Sequence, residues 1–240
     1  MKGKKMKKLF TALMLVMFVS SLSFAQANKN WDGTKPEVYK GSKNFIFMYS
    51  PFVSTEFGGA YAGSYSRYVD SNTTDVRNQY GVGFQYFVSN EISLSLGFHF
   101  GTGSWTPTWA GATAKSSNTL IGFALDGNYH FKALYGISPY LGLGINYGTE
   151  SSTTDYTYGL VTGQRKTSGN SFSIGANFGF DWYFTPGLSI GGKYVLGYQS
   201  NSAPTVTNTS SSTSAATTYT GPSTSGFGTG RASIMLNVHF

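Results

Sequence analysis

The sequence contains no cysteine, which excludes disulfides, iron–sulfur clusters and thiolate zinc sites, and with them a lipoprotein leader. Charge is scarce as well. Charged residues make up 11% of the chain against 17% aromatics, with 31 glycines, whereas about 25% of an ordinary soluble domain is charged. Long hydrophobic runs are also missing: the most apolar stretch, Leu9 to Val19, falls short of the roughly twenty residues a membrane-crossing helix needs. The chain has no His/Cys cluster, acidic calcium loop or phosphate-cradling glycine motif, so no metal or cofactor is expected.

What is present begins with a leader. Lys2, Lys4, Lys5, Lys7 and Lys8 precede the apolar run, and Ser23 and Ala25 then supply the small side chains of a cleavage site, with Ala25 and Ala27 as a second frame. Residues 1–25 are therefore read as a removed signal peptide, its end at 27 in the second frame, and residues 26–42 as a periplasmic N-terminal segment. Five of the seventeen bases lie in the leader and none of the ten acids do. The net charge falls from +7 to +2, twelve bases against ten acids. That removes the electrostatic case for a nucleic-acid partner. An exported, aromatic-rich chain with little charge and no spanning helix fits the other structure that satisfies every backbone group in lipid, a closed barrel.

Alternation of period two supports that reading. Ile92, Leu94, Leu96, Phe98 and Phe100 are apolar while Ser93, Ser95, Gly97 and His99 are small or polar. The same pattern recurs over 80–86, 121–131, 141–147, 172–184 and 190–198, and again at Ile234, Leu236, Val238 and Phe240. A first strand is placed at about 43–52, where Phe45 to Tyr49 are apolar on both faces. Short turns near Ser89-Asn90, Lys132 to Ile137 and Thr185-Pro186-Gly187 alternate with connections over 53–77, 101–117, 149–169 and 199–229. Short turns alternating with long connections distinguish an outer-membrane barrel from a soluble sandwich. The expected fold is all-β: an eight-stranded antiparallel up-and-down transmembrane β-barrel over 43–240, in the bacterial outer membrane, with both termini periplasmic. The long connections are expected to be external loops, and the Ser/Thr-rich 200–220 stretch to be mobile and dispensable. The triplets at Asn72 and Asn208 carry little meaning in such loops.

The leader ending Ser23-Phe24-Ala25-Gln26, the run Pro139 to Gly144 and the closing Asn237-Val238-His239-Phe240 resemble the small outer-membrane β-barrel family, whose familiar shapes are OmpX and the barrel half of OmpA. The resemblance implies that Phe240 with Val238, Leu236 and Ile234 forms the signal read by the barrel-assembly machinery, a partner during insertion. It also implies a chain without an OmpA-like peptidoglycan-binding domain.

Eight strands enclose an interior that side chains can fill. Asp126, Asp181, Lys193 and Arg231 fall on inward positions and are expected to form a polar network, Asp181 pairing with Lys193 on the adjacent strand. The leading functional expectation is a non-enzymatic monomer that contacts outer-membrane lipid and displays its loops, with Trp105 and Trp109, to an extracellular ligand. A narrow solute conduit is the alternative. A lipid-modifying enzyme is the third reading, with His99 near the outer rim as its candidate base and His130 and His239 at the periplasmic ends of inward faces.

Overall fold

A computed structural model describes residues 39–53, 79–106, 108–109, 112–133, 135–185, 187–212 and 215–240. The expected signal peptide over 1–25, most of the 26–42 segment, residues 54–77 of the first long connection and the Asn72 triplet lie outside the described residues.

Eleven strands follow one another: β1 (Lys43–Val53), β2 (Gln79–Phe87), β3 (Ile92–Trp105), β4 (Thr108–Trp109), β5 (Ala112–His130), β6 (Ile137–Tyr158), β7 (Val161–Thr185), β8 (Leu188–Asn201), β9 (Thr205–Ser210), β10 (Thr217–Thr220) and β11 (Thr224–His239). Eight of them close a ring in the order β1, β2, β3, β5, β6, β7, β8, β11, every pairing antiparallel and β11 returning to β1. Closure leaves no edge in the ring, so among the described residues the strands of the ring each pair with a neighbour on both sides. The seam is finished by Lys43 N–H to Phe240 O at 3.3 Å and Phe240 N–H to Lys43 O at 2.9 Å.

Alternation sorts the side chains. On β6, Ile137, Leu141, Leu143, Ile145 and Tyr147 face out and are exposed, while Ser138, Tyr140, Gly144 and Asn146 face in and are buried. Leu143 is 70% exposed, and a continuous apolar surface of this kind marks contact with lipid. The outward run on β6 matches the roughly 9–11 residues a tilted strand needs to cross a bilayer. Aromatic pairs rim it at both ends. At the short-turn end Phe45 stacks on Phe240 at 5.2 Å and Tyr129 meets Phe131 at 5.3 Å; at the other end Tyr80 lies 5.3 Å from Tyr49 and 6.0 Å from Phe100. Amphipathic rings concentrate at such interfaces.

On β1, Ile46 and Met48 face inward, which is why its pattern is apolar on both faces; a Cβ at Gly81 would stand 2.7 Å from the Met48 Cε. Pro51 lies in a register shift between Tyr49 and Phe52, a place in a sheet where a missing N–H is tolerated.

The long connections depart from expectation. Segments 101–117, 149–169 and 199–229 are built largely of strand rather than loop. β5 and β6 pair continuously from Ala112↔Tyr158 to His130↔Tyr140, and β6 and β7 from Ile137↔Trp182 to Tyr158↔Val161. Gly159, with φ of +58°, opens the two-residue turn between β6 and β7, where only an unhindered residue takes that angle cheaply. The 203–220 stretch holds β9 and β10, a hairpin that docks along β7 from Gly163↔Ser210 to Ser168↔Thr205. Period-two alternation fades there because both faces meet polar surroundings, yet threonine keeps its preference for the extended backbone.

Candidate functional site

The inward faces converge on a buried polar network. Lys193 Nζ donates to Asp126 Oδ2 at 2.7 Å, with both side chains under a tenth exposed. Asp126 also accepts from Asn177 Nδ2 at 2.9 Å and Ser95 Oγ at 3.4 Å, and Asn177 Nδ2 reaches Asn128 Oδ1 at 3.4 Å. The expected pairing of Lys193 with Asp181 is corrected. The β7–β8 ladder sets Gly179 opposite Lys193 and Gly191 opposite Asp181, and the long lysine instead crosses the lumen to β5. Asp181 accepts from Asn237 Nδ2 at 2.8 Å and lies 3.9 Å from His130 Nδ1. The Arg231 backbone lies in β11 opposite Val53; its side chain is outside the described residues.

Glycines make the room. A Cβ on Gly144 would run into the Asp126 carboxylate, and one on Gly191 would stand 2.6 Å from Asp181 Oδ1. Toward the short-turn end the network continues through amides and hydroxyls. Asn44 Nδ2 donates to Gln85 Oε1 at 2.8 Å, Gln85 Nε2 to Ser93 Oγ at 2.7 Å, and Ser93 Oγ meets His130 Nε2 at 2.9 Å. On the opposite wall Asn237 Nδ2 reaches Ser189 Oγ at 3.1 Å, which meets His239 Nε2 at 3.0 Å. His130 and His239 thus sit inward at the short-turn end, as their strand positions predict. Sequence reasoning missed Asn44, Gln85, Asn128, Asn177 and Asn237 as network members, although inward parity marks each of them.

Between these groups lies a cavity of about 40 Å³ bordered by Gln85, His99, Asp126, Asp181, Lys193 and Met235. That is room for roughly two or three waters, far below the several hundred Å³ of a small-molecule pocket. His99 is fully buried, its ring over Gly122, where a Cβ would collide with it. Both of its ladder partners, Gly81 and Gly122, are glycines, so no nucleophile stands directly across from it. No cluster that could hold a metal ion occurs among the described residues.

Beyond the apolar belt the wall continues as a sheet with two unlike faces. On the inner face several polar groups pair: Ser116 Oγ lies 2.7 Å from Thr154 Oγ1, Ser152 Oγ donates to Asn118 Oδ1 at 2.7 Å, and Arg165 Nη2 to the Tyr219 hydroxyl at 2.8 Å. On the outer face the registers align two rows across five strands. One is Thr119, Ser151, Ser168, Thr205 and Thr220; the other is Ser117, Thr153, Lys166, Thr207 and Thr218. Trp105 and Trp109 end β3 and form β4, and their side chains are outside the described residues.

The Ile234, Leu236, Val238 and Phe240 set occupies the outward face at the end of β11, with Phe45 and Leu188 directly opposite the nearly inaccessible Val238.

No protein-family model matches the chain, and no curated protein matches it. Solved structures do. The chain is similar to a major outer membrane protein from Thermus thermophilus, with a TM-score of 0.51 at 16% identity over 83% of this chain and 99% of that one. OprG from Pseudomonas aeruginosa matches with a TM-score of 0.47 at 12% identity, over 85% of this chain and 97% of that one. Neisserial surface protein A matches with a TM-score of 0.43 at 14% identity, over 85% of this chain and 100% of that one. At 16% identity the Thermus match speaks for the fold. Together with the girdled apolar belt and the closed eight-strand ring, it gives this chain the fold of a bacterial outer-membrane β-barrel.

Proposed function

We propose that the barrel is a non-enzymatic structural and surface-interaction protein that works through its extended hairpins, which the short-turn rule places outside the cell. The observation that carries this reading is the contrast between lumen and rim. The middle of the lumen is crossed by the Lys193–Asp126 pair, with a cavity of only about 40 Å³ beside it, and a hollow of about 380 Å³ around His130, Ser138 and Tyr183 is confined to the short-turn end, while β5, β6 and β7 run far past the belt. A chain that served as a conduit would need a continuous polar path past that pair.

Planar-bilayer recording of the refolded barrel tests the reading. Closed, silent bilayers are expected after insertion. Large stable conductance steps that survive in Lys193→Met and Asp126→Asn variants would assign the function to a conduit instead.

A further inference from the structure

The hollow at the short-turn end is separate from the narrow cavity beside the Lys193–Asp126 pair. It encloses about 380 Å³, within the range of sites that hold a ligand or a large side chain. The rings of Phe87, Phe131 and Tyr183 stand on its wall, His130 and Ser138 add buried polar groups, and Glu91 and Lys132 are exposed at its rim.

The hydrogen bonds around His130 fix what that ring offers. Asn44 Nδ2 donates to Gln85 Oε1 and Gln85 Nε2 to Ser93 Oγ, which leaves the Ser93 hydroxyl proton for His130 Nε2. The ring proton of a neutral His130 then sits on Nδ1. That nitrogen is buried with no hydrogen-bond partner in the protein, and Asp181 Oδ2 stands 3.9 Å away, beyond bonding range. A buried donor left so is costly until an acceptor reaches it, and a peptide carbonyl is such an acceptor.

The chain enters the barrel at this same point. Just before β1, the Lys40 N–H donates to Asn90 Oδ1 at 2.9 Å and the Gly41 N–H to Phe87 O at 2.8 Å; Asn90 and Phe87 both line the hollow. Gly41, with φ of +95°, turns the backbone there. Residues 26–38 are therefore tethered at the edge of the hollow. Their one aromatic residue is Trp31, nine positions before Lys40, and nine residues reach up to roughly 30 Å, more than the span of the mouth requires. A tether of this length holds Trp31 near the hollow at a concentration on the order of millimolar. Lys29 and Asp32, the charges beside Trp31, complement Glu91 and Lys132 at the rim.

We infer that residues 28–38 fold back into the short-turn mouth and seat the Trp31 indole among Phe87, Phe131 and Tyr183, with a carbonyl of the segment on His130 Nδ1. The seat closes the barrel at the end opposite the long hairpins.

The test uses the barrel from Gln26 to Phe240, reconstituted in phosphatidylcholine nanodiscs, where both mouths meet solvent. Ser138→Cys places a single cysteine in the hollow of a chain that has none, and the rate of its reaction with a charged maleimide is measured. Adding Trp31→Ala should speed that reaction about tenfold, the factor by which a millimolar tether exceeds an intrinsic affinity of roughly 0.1 mM. Trp31→Phe should stay close to the parent rate, and millimolar N-acetyltryptophanamide should slow the Trp31→Ala protein again. The heat-modifiable folded fraction should be the same throughout. Bilayer silence, which depends on the deeper Lys193–Asp126 pair, should not change with Trp31→Ala, so this inference and the functional reading fail separately. Equal labelling rates with and without Trp31→Ala would overturn the inference. So would a rate that rises only when residues 28–38 are deleted, which would leave Trp31 without a role. Should Ser138→Cys not fold, nitroxide labels on Asp32→Cys and Lys132→Cys replace it: one short, narrow distance that broadens in Trp31→Ala is expected, and a broad distribution with Trp31 in place would overturn the seat.

Discussion

Gly144 and Gly191 matter for the space they leave to others. Each leaves the space that an acid of the lumen occupies. Gly144→Ala should destabilise the barrel by about 1–3 kcal/mol through overpacking against Asp126, while Gly226→Ala, where an added Cβ meets nothing within 4 Å, should be nearly neutral; urea unfolding in lipid measures both. Lys193→Met should cost about 3–5 kcal/mol by leaving Asp126 buried without its base, whereas Lys193→Met with Asp126→Asn should be far milder. A double-mutant cycle should show strong coupling of Lys193 to Asp126 and weak coupling to Asp181. Deleting Phe240 removes a ring stacked on Phe45 and two seam hydrogen bonds, so the yield of folded, heat-modifiable protein should fall; an unchanged yield and rate would reject its role in assembly. At this scale the sequence reveals which residues point inward, because parity is local. It does not reveal that Lys193 reaches Asp126, because that pairing depends on how the ring closes across two intervening strands.

The hairpins show where periodicity stops being informative. Within the bilayer each strand separates lipid from lumen, and alternation marks the strand plainly. Above it, Thr149 to Tyr158 and Val161 to Asn170 remain paired although the apolar signal has gone, so a reading of hydrophobic pattern shortens the strands to the membrane. The β9–β10 hairpin is a case of the same kind. Its Ser/Thr composition resembles a disordered tract, but Val206 is buried and β7 supplies a ladder. Excising residues 203–220 with a short turn in their place should still allow the ring to close, since β8 ends at Asn201 and β11 begins at Thr224. Hydrogen exchange should nevertheless accelerate across Gly163 to Ser168, which lose one of their two partner strands. Unchanged protection there would contradict the docking of β9 on β7.

The whole molecule is a closed wall with three zones along its outer surface: an aromatic rim at the short-turn end, an apolar belt, and a polar extension that begins past the second rim. The fold class, the number of strands in the ring and the short turns are legible from the sequence because lipid imposes so strong a contrast on each of those eight strands. The interior is legible only as a set of polar positions, and the extension only as composition. The absence of cysteine permits a direct test of the zones, since single cysteines introduced from Leu141 to Thr157 on β6 can each carry a nitroxide label in a reconstituted bilayer. Oxygen accessibility should peak at Leu141, Leu143, Ile145 and Tyr147. Accessibility to a water-soluble paramagnetic reagent should take over at Thr149, Ser151 and Thr153, and Gly144 and Asn146 should be shielded from both. A period-two profile that carries on past Thr149 with its environment switched from lipid to water is the predicted result; loss of the period beyond Gly148, or lipid contact at the even-numbered positions, would contradict the account.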